Sequence, residues 1–387
     1  MVIRRVVGVT LLFVAFAVQA HRVEAQCIYA IANPAGSFRP VVSIHQDDGS
    51  SSDELDVAEG FPAAVVPAPD GRETYVGVTS IAEDCPARSS VLAFSATGEQ
   101  RSRILSTPGS FGAMAIHPDG TKLYAVDNLV GRLFVIATST LQVTNVIPIV
   151  DAIGFCPGSI DHSMPGFVGL AVSPDGQRVL VTAAFCNIFC SESLSVIDTI
   201  SETIVEEIDT SYTRVAFGPD SSRAYLQKGG LIGLSLFDVE SAASIDDYPV
   251  EVYGLATAPD GVFALTDPNI LVLDPQTNVV AREIDLRGHL IASDVGADRA
   301  YVTTADRAEV VVLKASTGKT IDRLPLENPS WIAAGPCPRS GSGGGGNGGC
   351  NIERTRPTWL VVSLLFAGFA LFRSRQRHGR VARTISE

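Results

Sequence analysis

Along most of the chain, apolar residues come in short β-branched runs broken by tight polar turns. The recurring turn is Pro-Asp-Gly. It stands at Pro69-Asp70-Gly71, Pro118-Asp119-Gly120, Pro174-Asp175-Gly176 and Pro259-Asp260-Gly261, with Pro219-Asp220-Ser221 and Ala297-Asp298-Arg299 as variants. A short apolar stretch precedes each turn, as in Ala113-Met114-Ala115-Ile116, and a second run follows, as in Lys122-Leu123-Tyr124-Ala125-Val126. A third run comes next, such as Ile270-Leu271-Val272-Leu273-Asp274, and then a more polar fourth, such as Val205-Glu206-Glu207-Ile208. Each unit therefore reads as four strands, with the tight turn joining the first two. Successive turn aspartates are 49, 56, 45, 40 and 38 positions apart. A four-stranded period of about 40–45 residues is the pattern of a β-propeller blade.

The chain ends fix the blade count. Ile28 to Asn33 reads as a second strand with no first strand before it, and Ser330 to Pro336 as a first strand with nothing after it. One blade is then shared by both termini, and six more lie at roughly 61–108, 109–149, 150–209, 210–250, 251–285 and 286–327. The expectation is an all-β, seven-bladed propeller over 26–339. Strand alternation sorts the connections onto two rims. The turns after the first and third strands share one rim, the turn rim. The loops after second strands and between blades share the other, the loop rim.

The runs Ala300-Tyr301-Val302-Thr303-Thr304 and Leu194-Ser195-Val196-Ile197-Asp198 resemble the YVTN-type propeller repeat family over about 27–337. That resemblance implies the propeller fold. It leaves activity open, because the family spans surface proteins, binding modules and lactonases.

Two longer apolar runs lie outside the repeat. Arg4 and Arg5 precede Val6–Val18, followed by small residues up to Ala20 and Ala25, which reads as a secretory signal peptide over 1–25. Cys27 follows Gln26, where a lipoprotein signal would need Gly or Ala, so lipidation there is rejected. At the other end, 340–350 is a Gly/Ser-rich tether. Within 351–387, the run Trp359–Phe372 is followed by Arg373, Arg375, Arg377, Arg380 and Arg383, and reads as an apolar helix with a basic end. A bilayer span takes about 20 residues, so the run is short for a permanent anchor. Gly348-Gly349-Cys350 before it resembles bacterial C-terminal sorting tails, which implies recognition by a membrane protease and transfer to the surface. A simple single-pass anchor is the alternative. Either way the expected location is periplasmic or cell-surface, held by the C-terminus.

Charge narrows the partners. The net charge is −13, but the two ends are basic, and 26–350 holds 19 basic against 39 acidic groups. Such a body repels phosphate backbones, which excludes nucleic acid. A membrane partner follows from the tail alone, and the propeller is expected to be a monomer.

Seven cysteines fit an oxidising compartment. Cys27 opens a second strand and Cys337 follows a first strand of the same blade, so both belong on the turn rim. Cys85, Cys156, Cys186 and Cys190 belong on the loop rim, with their pairing open, and Cys350 is left in the tail. A Cys27–Cys337 bridge would close the ring.

Catalytic signals are sparse. His45, His117, His162 and His289 do not converge as zinc ligands. Asp47, Asp48, Asp53 and Glu54 lack the spacing of a Ca²⁺ loop. No hydrolase, zincin or P-loop motif is present, and no cofactor is expected. The first strands begin near Phe61, Phe111, Phe167, Tyr212 and Tyr253, which would place aromatic rings at the channel mouth on the loop rim, unless they pack between blades. The long insertion 150–166 carries Asp161 and His162 to the same rim, where His289 also lies. The expected role is a binding or scaffold module acting on a protein or small-molecule ligand through that rim. A lactonase-like enzyme, with Arg214 and His289 as the available groups, and a cofactor or electron-transfer propeller are the alternatives.

Overall fold

The computed structural model describes residues 26–338 except 33–39, 51, 58–59, 81–87, 109–110, 128–130, 150–168, 187–189, 211, 229–232, 305–308 and 327–328. Within it the chain forms seven four-stranded antiparallel sheets. Blade 1 is the shared one. Its first strand is Pro329–Pro336 from the C-terminal side, followed outward by Gln26–Ala32, Val41–Gln46 and Ser52–Leu55. Blade 2 opens with Phe61–Pro67, blade 3 with Phe111–Ile116, blade 4 with Gly169–Val172, blade 5 with Tyr212–Phe217, blade 6 with Gly254–Ala258 and blade 7 with Leu290–Asp294. Blades 2 to 7 each run in sequence order from inner to outer strand. Consecutive first strands touch one another all the way round, so the ring is closed.

The core follows from this stacking. There are seven buried apolar clusters, each spanning two adjacent blades. Second and third strands are apolar on both faces because a neighbouring sheet covers each face. Fourth strands, such as Thr203–Asp209, alternate and are mostly exposed because they form the outer edge. The second strands of five blades carry a buried tyrosine at the same level: Tyr29, Tyr75, Tyr124, Tyr225 and Tyr301. This is the tyrosine of the repeat read in the sequence.

Both turn types repeat as well. In the first turn the aspartate Oδ1 accepts the backbone N–H two residues on, at Arg72, Thr121, Gln177 and Ser222. The third turn of every blade has one residue at positive φ: Gly49, Gly98, Leu141, Glu202, Ala242, Asn278 and Gly318. Four of these are not glycine, which is why the sequence pattern does not show the repeat.

The expected ring-closing contact is present. Gln26–Ala32 pairs antiparallel with Pro329–Pro336, and Cys27 and Cys337 form a disulfide with Cα atoms 4.8 Å apart across 310 residues. Both sulfurs lie in the buried cluster between blades 1 and 2. Among the described residues no helix is long and apolar enough to cross a membrane. The apolar helix expected in 351–387 and the segments 1–25 and 340–350 lie outside the described residues.

Candidate functional site: a cleft on the loop rim

The loop rim carries a cleft of about 230 Å³ between blades 6 and 7, lined by Tyr253, Thr266, Asp267, Arg287, Gly288, His289 and Thr304. Strand polarity brings these together. Tyr253 immediately precedes the first strand of blade 6, and Thr266 and Asp267 follow its second strand, Gly261–Leu265. Arg287 to His289 precede the first strand of blade 7, and Thr304 ends its second strand, Arg299–Thr304. First strands start, and second strands end, on the same rim.

Backbone bonds fix the frame. Tyr253 N–H donates to Leu265 O at 2.8 Å, His289 N–H to Thr303 O at 2.9 Å, and Leu290 N–H to Thr303 Oγ1 at 2.9 Å. Gly288 is needed for close approach, since a Cβ there would lie 2.4 Å from Val302 Cγ1. Arg287 Nη2 reaches Asp267 Oδ2 at 3.1 Å, joining the two blades at the rim. The Tyr253 hydroxyl is held above its ordinary pKa by desolvation, with the Glu251 carboxylate adding to it. The cleft thus offers one ring face, one cation, one carboxylate, one imidazole and three hydroxyls.

Of the residues singled out in the sequence, Tyr253 and His289 come together in this cleft. Phe61 is 40 % exposed at the start of blade 2. Phe111 is 1 % exposed and packs edge-on against Phe134, with ring centroids 6.1 Å apart, in the cluster between blades 2 and 3. Tyr212 is buried between blades 4 and 5 and donates to Ser235 Oγ at 3.3 Å. These two rings fill the core between blades rather than line a mouth. The reason is local: the register slips one residue between Phe111 and Ala113, and again between Tyr212 and Arg214. A one-residue slip moves a side chain to the other face of the strand. Asp161, His162, Phe167, Gly348, Gly349, Cys350, Cys85 and Cys156 lie outside the described residues. Cys186 and Cys190 end adjacent strands of blade 4 as direct backbone partners. Asp267, Arg287, Thr266 and Thr304 were not singled out from the sequence; their only signal there is position, flanking strands on the loop rim.

The other histidines sit elsewhere. His45 Nε2 is 2.9 Å from Ser43 Oγ in blade 1, and burial lowers its pKa. His117 lies on the turn rim between Asp119 and Gly176. Among the described residues no group of three His, Cys, Asp or Glu could hold a metal ion.

No family model matches the chain, and no curated protein matches it in sequence. Solved structures do match in fold. A protein named as a candidate 6-phosphogluconolactonase of Bacteroides fragilis superposes with TM-score 0.55 at 14 % identity, over 80 % of this chain and 98 % of that one. Apo AztD of Citrobacter koseri gives TM-score 0.51 at 14 % identity, over 80 % and 98 %. Hydrazine synthase of Kuenenia stuttgartiensis gives 0.53 at 18 % identity, over 70 % and 88 %. At these identities the likeness is one of fold alone, shared by proteins of different names.

Proposed function

We propose that this chain is an exported binding module, tethered by its C-terminal segment, whose loop rim takes a small polar ligand in the cleft between blades 6 and 7. The observation that carries the reading is the convergence of Tyr253, Arg287, His289 and Asp267 on one rim, from three connections that the fold gathers there. An exposed ring beside several orienting polar groups is the composition of a ligand site. The signal-peptide pattern and the apolar, Arg-ended tail support export and tethering. The test is a ligand screen on the purified full chain. Tyr253→Ala and His289→Ala should each abolish a hit's binding, while Asp119→Ala on the opposite rim leaves it intact. Hits that bind all three variants equally would overturn the assignment.

A lactonase-like activity is the second reading, favoured by the presence of His289 and Arg287 in one cleft and by the name of the Bacteroides neighbour. Proton release from a sugar lactone, lost in His289→Ala, would select it. N-terminal sequencing should find the mature chain beginning after Ala20 or Ala25, and peptides beyond Arg373 recovered from membranes would make the tail a permanent anchor.

A further inference from the structure

Strand register defines a ring of equivalent first-strand positions just inside the loop rim. Each is the backbone partner of the residue two past the central large side chain of its second strand. Around the ring they are Trp331, Ala64, Ala113, Gly169, Arg214, Gly254 and Leu290. Six are small or apolar, and one is a guanidinium.

Arg214 is partly buried, and its described polar partner is a neutral amide, Gln227 Oε1 at 3.1 Å. Its neighbours on the strand, Val215 and Ala216, face blades 4 and 6 respectively. Alternation therefore sets Arg214 on the blade 6 side, where the equivalent position is Gly254 and offers no side chain. Burial pulls its pKa down. Lys228, next to Gln227, is already committed to Asp247 at 2.5 Å. Four other described arginines are ion-paired, Arg178 with Asp198, Arg282 with Asp260, Arg299 with Asp47 and Arg323 with Glu309, and Arg223 donates to the Pro275 and Gln276 carbonyls. Among the described residues this half-buried cation has no carboxylate partner, in a body with 39 acidic groups over 26–350. Withdrawing a charge from water without a counter-charge destabilises the fold, and a ligand anion would remove that penalty.

We infer that Arg214 is the anchor of a small-oxyanion site at the loop-rim end of the central channel, taking a carboxylate or phosphate group. The surrounding Ala, Gly and Leu positions would accept the apolar or compact remainder of such a molecule. The site is distinct in residues from the blade 6–7 cleft.

The experiment measures thermal unfolding and calorimetric binding of the full chain with inorganic phosphate and with citrate, against chloride at equal ionic strength. At least one oxyanion should bind saturably, and Arg214→Gln should weaken it at least about tenfold, as expected for a lost charged hydrogen bond. Arg214→Lys should retain part of the binding, and Asp119→Ala on the turn rim should retain all of it. Phosphate alone binding would assign a phosphate site, and citrate alone a carboxylate site. Without added oxyanion, Arg214→Gln should unfold at or above the temperature of the parent chain. Equal anion binding by Arg214→Gln and parent, no saturable binding of either anion, or a lower unfolding temperature for ligand-free Arg214→Gln would each overturn the site.

Discussion

On the turn rim, neighbouring blades are bonded to one another by the turns themselves; on the loop rim, the described contacts between blades leave an open cleft. Lys122 of blade 3 reaches Thr199 O and Glu202 of blade 4, each at 2.7 Å. His117 of blade 3 lies 2.9 Å from Gly176 O of blade 4, and Ser221 of blade 5 accepts from Asp175 N–H at 3.0 Å. Arg223 of blade 5 donates to Gln276 O of blade 6 at 2.8 Å. Arg282 of blade 6 donates to Ser316 O of blade 7 at 2.6 Å, and Arg299 of blade 7 meets Asp47 of blade 1 at 3.2 Å. The disulfide sits at this end too. Individually such surface pairs contribute only about 0–1 kcal/mol, but here they repeat at successive blade boundaries. The lesson is a structural contrast: short turns of fixed geometry join neighbouring blades on one rim, while the other carries the open cleft.

The comparison predicts a graded set of outcomes. The largest concerns closure. Replacing Cys27 and Cys337 together by Ser should lower stability by about 2–5 kcal/mol, because a long loop loses its cross-link in the unfolded state. Chemical unfolding of the oxidised parent and the double variant reads it, and equal midpoints would remove the closure role. Next, Gly176→Ala should cost about 1–3 kcal/mol. Its φ is +74°, and a Cβ would stand 2.4 Å from the His117 ring. His289→Ala on the loop rim should change stability by less than about 0.5 kcal/mol. If the order of these two reversed, the rims would not differ as argued.

Much of this was legible because the repeat is written in backbone requirements. Pro-Asp-Gly marks the first turn, and a cysteine at each end of an interrupted blade marks the closure. The third turn was hidden because Leu141, Glu202 and Ala242 occupy the positive-φ position that a reader looks for glycine to fill. The channel-mouth rings were hidden for another reason: the slips before Ala113 and before Arg214 turn Phe111 and Tyr212 inward. The cleft needed the ring itself, since Asp267 and Arg287 are 20 residues apart and meet across a blade boundary.

Smaller effects sharpen the picture of the turns. Ala242→Gly should stabilise by up to about 1 kcal/mol, since φ there is +50° and glycine adopts it without steric cost. Melting temperature checks this; a loss would mean that its packing outweighs the strain. The third-turn aspartates predict a pH dependence. Asp198 and Asp238 are held below the usual carboxylate range chiefly by the N–H groups of Ser201 and Ser241, and Asp274 chiefly by the Thr277 hydroxyl. A carboxylate lowered in the folded state adds stability that is full above its unfolded pKa of about 4 and lost as pH falls through the folded value. Urea midpoints should therefore drop below about pH 4, and by less in Asp274→Asn.

The division between rims is tested most directly by hydrogen exchange on the full chain with and without a ligand found by the screen. Protection should rise in peptides covering 253–267 and 287–304 on the loop rim and stay unchanged in those covering 117–122 and 174–178 on the turn rim. Protection confined to the turn rim, with the loop rim unaltered, would contradict the account.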